Sequence, residues 1–181
     1  EDAQQALDAI QKICEEKSCK TLVKSKSMVT EEIHLNDFLE KNGIESVETD
    51  LGEYIQQLDG EPPYHIVTPA MHKSKEDVAK LFAEKLGTDP KATPEQLTLT
   101  ARRILRDKYI QAEVGLTGAN FIIADIGGIA VTENEGNARL SCAFPKTHIV
   151  IAGIEKMIPS MTDLALFWPL LSTFGTGQQV T

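Results

Sequence analysis

At 181 residues, with 41% apolar and 25% charged side chains, the chain suits one globular domain with a core of its own. A net charge of −9 argues against general nucleic-acid binding and against an anionic membrane surface. No apolar run is long enough to span a bilayer, and no secretory apolar segment is visible. Glu1 stands where a methionine would begin a natural chain, which reads as a trimmed start.

Residues 3–16 place Ala6, Leu7, Ile10 and Ile13 at helical spacing among charges. Residues 20–24 read as a short strand. Thr30 is the expected cap of the next helix, with Glu31 and Glu32 favourable in its first turn. Ile33, Leu35, Phe38 and Leu39 supply its apolar face, and Gly43 ends it. Residues 44–48 form the next strand, residues 51–58 a helix, and residues 60–63 a loop rich in glycine and proline. Residues 64–67 are another short apolar run, and helices are predicted over 75–86 and 94–108. Strands alternating with helices predict an α/β domain whose mixed, largely parallel sheet is flanked by helices.

The pattern then changes. Gly127-Gly128 between residues 120–125 and 129–133 reads as a hairpin. A buried strand is expected over 149–152 and a helix over 159–171. There is no internal repeat, low-complexity tract or linker, so residues 1–181 are read as a single domain.

Three cysteines occur, Cys14, Cys19 and Cys142. An odd count without close pairs gives neither a disulfide framework nor the four close ligands of an iron–sulfur run. A cytoplasmic location follows from that usage. His65 and His72 lie seven residues apart across Pro69, which is not metal-ligand spacing, and no metal site is expected. The glycines of Gly115-Leu116-Thr117-Gly118 do not match a dinucleotide fingerprint, and no Walker lysine follows a glycine loop. Neither a nicotinamide cofactor nor ATP is indicated.

Chemistry concentrates in three places. Lys24-Ser25-Lys26-Ser27 follows a strand, where α/β domains bind ligands. Lys24, Lys26 and Ser27 can hold a carboxylate or phosphate, or they are solvated lysines beside an ordinary cap. Residues 134–139 gather Asn134, Glu135, Asn137 and Arg139 behind a glycine turn. Glu135 is a candidate base, nucleophile or simple acceptor. Asn134 and Asn137 orient a ligand or cap local backbone, and Arg139 pairs with a substrate carboxylate or with Glu135. Asn120 and Asp125 flank the hairpin as ligand contacts or turn formers. The glycines of residues 115–128 are expected to let backbone approach a ligand closely. His148 and His65 adjoin strand ends as core or ligand-side histidines, whereas His34 is expected at the surface.

The segments Val23-Lys24-Ser25-Lys26-Ser27-Met28, Glu48-Thr49-Asp50-Leu51-Gly52-Glu53, His65-Ile66-Val67-Thr68-Pro69-Ala70, Asn134 to Arg139 and Pro145-Lys146-Thr147-His148-Ile149 stand in this order. Glu155 follows them within Gly153-Ile154-Glu155-Lys156. From about residue 20 onward the chain resembles the LUD domain of the lactate utilization proteins, those of the B type in particular. One departure is Ile126 with Gly128, where the family often has small hydroxyl residues.

The resemblance implies a fold akin to the NagB/RpiA/CoA-transferase-like group. It implies a part in oxidising L-lactate to pyruvate within a multi-subunit system that passes electrons through iron–sulfur subunits. It also implies 4Fe-4S clusters in a region C-terminal to this domain, so the chain is expected to be a fragment without a cofactor of its own. Partner subunits, a small carboxylate or phosphate ligand and a homo-oligomer are the expected partners. The alternatives are a CoA-transferase- or sugar-phosphate-isomerase-like enzyme using Glu135, or a non-catalytic assembly domain.

Overall fold

The computed structural model describes residues 2–62, 69–133, 135–177 and 179. The run expected over 64–67, with His65, lies outside the described residues, as does Asn134. In chain order the elements are α1 (Ala3–Glu16), β1 (Thr21–Lys24), α2 (Met28–Glu32), α3 (Leu35–Lys41), β2 (Glu45–Glu48) and α4 (Leu51–Asp59). There follow α5 (Lys75–Leu86), α6 (Pro94–Gln111), β3 (Val114–Thr117), β4 (Phe121–Ile123), β5 (Gly128–Ala130) and α7 (Asn137–Ala143). The last are β6 (Thr147–Val150), β7 (Met157–Ile158) and α8 (Leu164–Thr176), with 3₁₀ turns at Ile154–Lys156 and Met161–Asp163.

Local chemistry explains most helix ends. Asp2 accepts from the Gln5 N–H to open α1, and Asp50 accepts from the Glu53 N–H to open α4. Ser74 with Asp77, and Thr93 with Gln96, form capping boxes at α5 and α6, where Pro94 supplies a preset first turn. Gly60 and Gly87 close α4 and α5 at positive φ. The helix expected from Thr30 is different. Ser27 is the cap position, and the buried Thr30 hydroxyl donates back to the Ser27 carbonyl at 2.6 Å. His34 adopts φ +54, which breaks the run into α2 and α3.

The chain forms two compact units. The larger comprises Glu1–Gly118 with Glu133–Val150. Its sheet is wholly parallel in the order β2-β1-β3-β6. Side chains alternate across it. Val23 and Val47 face a core with Tyr54 and Ile55 of α4, Phe82 of α5, and Leu97, Ala101, Leu105 and Tyr109 of α6. Lys24, Ser46 and Glu48 point to the other face, where they meet Glu31 of α2 and Asn36 of α3. α7 packs against β3, and this sets the purpose of Gly115. A Cβ there would lie 1.8 Å from the Ser141 carbonyl oxygen. The close approach expected at this glycine is therefore made by a helix backbone. The order in which strands are added switches sides between β1 and β3, a crevice that α/β sheets commonly use for ligands.

The smaller unit comprises Ala119–Thr132 with Ile151–Thr181. The expected hairpin is present as β4 and β5, antiparallel, with Gly127 at φ +59 in the turn. β7 joins β4 in parallel. Ile123, Ala130, Ile158 and Leu164 form its core, with Phe121 and Trp168 against them. The helix expected over 159–171 is α8, which starts at Leu164 because Ser160 and Asp163 form a capping box around a 3₁₀ turn. No described helix is long and apolar enough to cross a membrane.

Candidate functional site

At the C-terminal ends of β1 and β2 the sequence places a lysine and a glutamate on the same sheet face. Lys24 is fully buried, and its ammonium donates to Glu31 at 2.8 Å and to Glu48. Asn36 donates to Glu48 at 2.7 Å and accepts from the Ser46 hydroxyl at 2.7 Å. Burial works against the Lys24 ammonium, yet Glu48 and Glu31 outweigh it and hold its pKa above the ordinary lysine value. Glu53 comes in from the first turn of α4 and is 1% exposed. Burial, then the charge of Glu48, pushes its carboxyl up to about 9, so it carries its proton at neutral pH. Lys24 is thus committed to the protein's own carboxylates.

Lys26 is exposed, and its charge is felt at Glu135. Glu135 lies in the loop leading into α7, which Gly136 turns at φ +81. Burial raises the Glu135 pKa, and Asp50 adds to the rise. A hydrogen bond with the Leu51 backbone and the charge of Lys26 pull the other way. The loop after β1, the start of α4 and the loop before α7 therefore meet around this carboxylate. Ser27 is buried one residue beyond Lys26.

Glu135 also lines a cavity of about 540 Å³. Its other walls include Thr49, Leu51, Leu105, Tyr109, Asn137, Leu140 and Phe144, together with Arg102 and Arg106. The Tyr109 hydroxyl donates to the Asn137 carbonyl at 3.4 Å, and burial raises its pKa. The Asn137 side chain accepts from the Ala138 N–H at 2.9 Å, which steadies the first turn of α7. The cluster over 134–139 is thus a helix start as well as a polar loop.

The remaining candidates have local partners. Arg139 pairs with Glu133 at 3.1 Å rather than with Glu135, and its side chain is 78% exposed. The His148 ring nitrogen Nε2 lies 2.8 Å from the Thr117 hydroxyl and 3.4 Å from the Cys142 sulfur. Burial lowers the His148 pKa, which favours the neutral imidazole. In the smaller unit, Asn120 accepts from the Thr132 N–H at 2.7 Å, and Asp125 accepts from the Met161 N–H at 3.2 Å. Both side chains brace the hairpin in this structure. His34 is exposed.

Sequence reasoning passed over Asn36, Glu48, Arg102, Arg106 and Tyr109. The alternation of β2 was a usable signal for Glu48, since Ser46 and Glu48 share a face with no apolar residue between them on that side. Arg102 and Arg106 are spaced one helical turn apart in the sequence, which marks them as neighbours.

Cys14 and Cys19 are buried together near the end of α1, and Cys142 is exposed on α7. Among the described residues no group of three or more His, Cys, Asp or Glu side chains is arranged to hold a metal ion.

A family model described as the LUD domain matches residues 1–181. The chain is 50% identical over 173 residues to Lactate utilization protein B of Bacillus pumilus, covering 95% of this chain and 37% of that protein. It is 47% identical over 180 residues to Lactate utilization protein B of Bacillus subtilis, covering 99% and 38% respectively. The protein of the same name from Anoxybacillus flavithermus is 48% identical over 180 residues, again with 99% and 38% covered. The chain thus spans less than two fifths of the length of these relatives. No solved structure matches it.

Proposed function

The chain belongs to the LUD domain family, and from that membership we propose that it serves L-lactate utilization as the LUD domain of a larger subunit. The observation that carries this reading is identity of 46–50% over nearly the whole chain to proteins named for lactate utilization. The reaction is oxidation of L-lactate to pyruvate, a loss of two electrons and two protons. Electrons leave through iron–sulfur subunits. Because the cysteines of this chain do not fit a cluster, any 4Fe-4S group is assigned to polypeptide outside it.

Within this reading the cavity beside Glu135 is the ligand site. Glu135 has a raised pKa, a mixed polar and apolar wall, and Lys26 nearby, the combination that fits a proton-transfer residue. Asn137 sits in the same wall. Partner subunits are the other component. Leu166, Leu170 and Phe174 recur every fourth residue along α8 and are exposed, which suits an association surface. The free thiols suit the cytoplasm. One LUD domain spanning both units is supported by the span of the family match.

Deletion of the gene for the full-length parent tests the function. Loss of growth on L-lactate, restored by the intact gene and accompanied by accumulation of unconsumed lactate, is the expected result. Normal lactate consumption in the deletion strain contradicts it.

A CoA-transferase-like reaction using Glu135 as nucleophile is the competing reading, favoured by the placement of that carboxylate on a cavity wall. Incubation with a CoA thioester and mass measurement of a Glu135 adduct decides between them.

A further inference from the structure

Arg102 and Arg106 stand one turn apart on α6, and both line the cavity that holds Glu135. Neither guanidinium has an ion pair or hydrogen bond among the described residues. Like charges at this spacing on a helix repel one another. Two guanidiniums side by side, without a partner among the described residues, in a chain of net charge −9 suit an oxyanion.

The wall beneath them has a different character. Ala101, Leu105 and Tyr109 continue along α6, and Leu140 and Phe144 face them from α7 and its C-terminal end. The rings of Tyr109 and Phe144 lie 6.2 Å apart in a tilted arrangement. A cavity of about 540 Å³ falls among clefts that hold ligands well beyond a three-carbon acid. Lactate alone would leave most of this apolar surface wet.

We infer that the cavity binds a carboxylate with a medium-length apolar body. The head is held by Arg102 and Arg106, and the body lies on Leu105, Tyr109, Leu140 and Phe144. This assignment rests on the reading of the cavity as the ligand site and adds the class of ligand. Glu135 enters from the loop before α7 and not from α6, so the anionic head belongs at the α6 wall, where cations face it. Two arginines fix a planar carboxylate, and the apolar wall selects for a hydrocarbon or aromatic tail.

Calorimetric titration of the purified chain with octanoate, octylamine and L-lactate at equal concentrations tests it. Octanoate is expected to bind, L-lactate to bind at least tenfold more weakly because it leaves the apolar wall uncovered, and octylamine not to bind. The double variant Arg102→Gln/Arg106→Gln is expected to weaken octanoate at least tenfold with an unchanged melt, since both side chains are exposed. Leu140→Asp, which places a charge in the tail wall at a partly exposed position, is expected to weaken it as well. Absence of octanoate binding overturns the inference. So does equal binding of octylamine, or octanoate binding that ignores the arginine substitutions. L-lactate binding that depends on Arg102 and Arg106, with octanoate excluded, also overturns it. Growth on lactate reads the function separately: normal growth of the deletion strain with octanoate still bound removes the lactate reading and leaves the ligand class standing.

Discussion

Two polar neighbourhoods of the larger unit handle charge in opposite ways. Around Lys24 the charge is met from within: the buried ammonium donates to Glu31 and Glu48, and Asn36 and Ser46 extend the network, with one Glu48 oxygen buried without a hydrogen bond and Glu31 partly exposed. Around Glu135 it is left open: a carboxylate of raised pKa shares a largely apolar cavity with two arginines that have no partner among the described residues. Both lie where the family resemblance and the sheet topology point. The difference teaches that polar density at strand ends does not by itself mark a ligand site. What separates the two is whether the protein already supplies the partners.

The largest effect is expected from breaking the closed neighbourhood. Lys24→Met leaves Glu31 and Glu48 without their ammonium, and losing one partner of a buried pair costs about 3–5 kcal/mol. Urea unfolding measures it. A loss under about 1 kcal/mol would place Lys24 at a solvated site after all.

Gly115→Ala comes next. Its added Cβ would meet the Ser141 backbone carbonyl oxygen at 1.8 Å, an atom that cannot swing aside, so α7 must shift from β3. Overpacking of this kind costs about 1–3 kcal/mol, and because α7 carries one cavity wall it should also lower octanoate affinity. A melt and an affinity equal to those of the parent chain would mean that α7 is not seated on Gly115.

Glu53 gives the closed neighbourhood a pH signature. Its carboxyl is raised from 4.5 to about 9 in the folded chain. Between those values the folded state holds a proton that the unfolded state releases. The stabilisation is complete below the unfolded pKa and is lost as pH rises through the folded one. Glu53→Gln removes this dependence, so the variant should gain on the parent chain as pH rises from about 5 to about 8. Denaturant midpoints across that range measure it, and parallel curves for the two proteins would contradict the raised pKa.

Much of the scaffold was legible because its signals are local. The expected bounds of α5 and starts of α4 and α6 match the structure, where capping residues and a glycine stop set them within a few positions. The split between α2 and α3 was not legible, since His34 at positive φ has no glycine to announce it. α7 was hidden as well: Gly136 stands in its cap position and Glu135 and Asn137 read as a turn, while the packing of α7 on β3 holds the helix. Of the site, Lys26, Glu135 and Asn137 were visible as a polar pattern. Whether Lys24 was free or spent depends on Glu31 and Glu48, and only the parallel register of β1 with β2 brings Glu48 beside it. Arg139 read as a partner of a substrate carboxylate or of Glu135, and the fold pairs it with Glu133.

The most direct test of the contrast is Glu135→Gln, assayed for both folding and function. Glu135 lines its cavity but is itself exposed, so its stability change should stay within about 0.5 kcal/mol. Placed in the full-length parent, the same substitution should impair growth on L-lactate. An unchanged melt with impaired growth is the result predicted for an open, functional carboxylate. Normal growth with an unchanged melt would contradict it and reduce the cluster to a decorated helix start, and a loss of several kcal/mol would move Glu135 into the same structural class as Lys24.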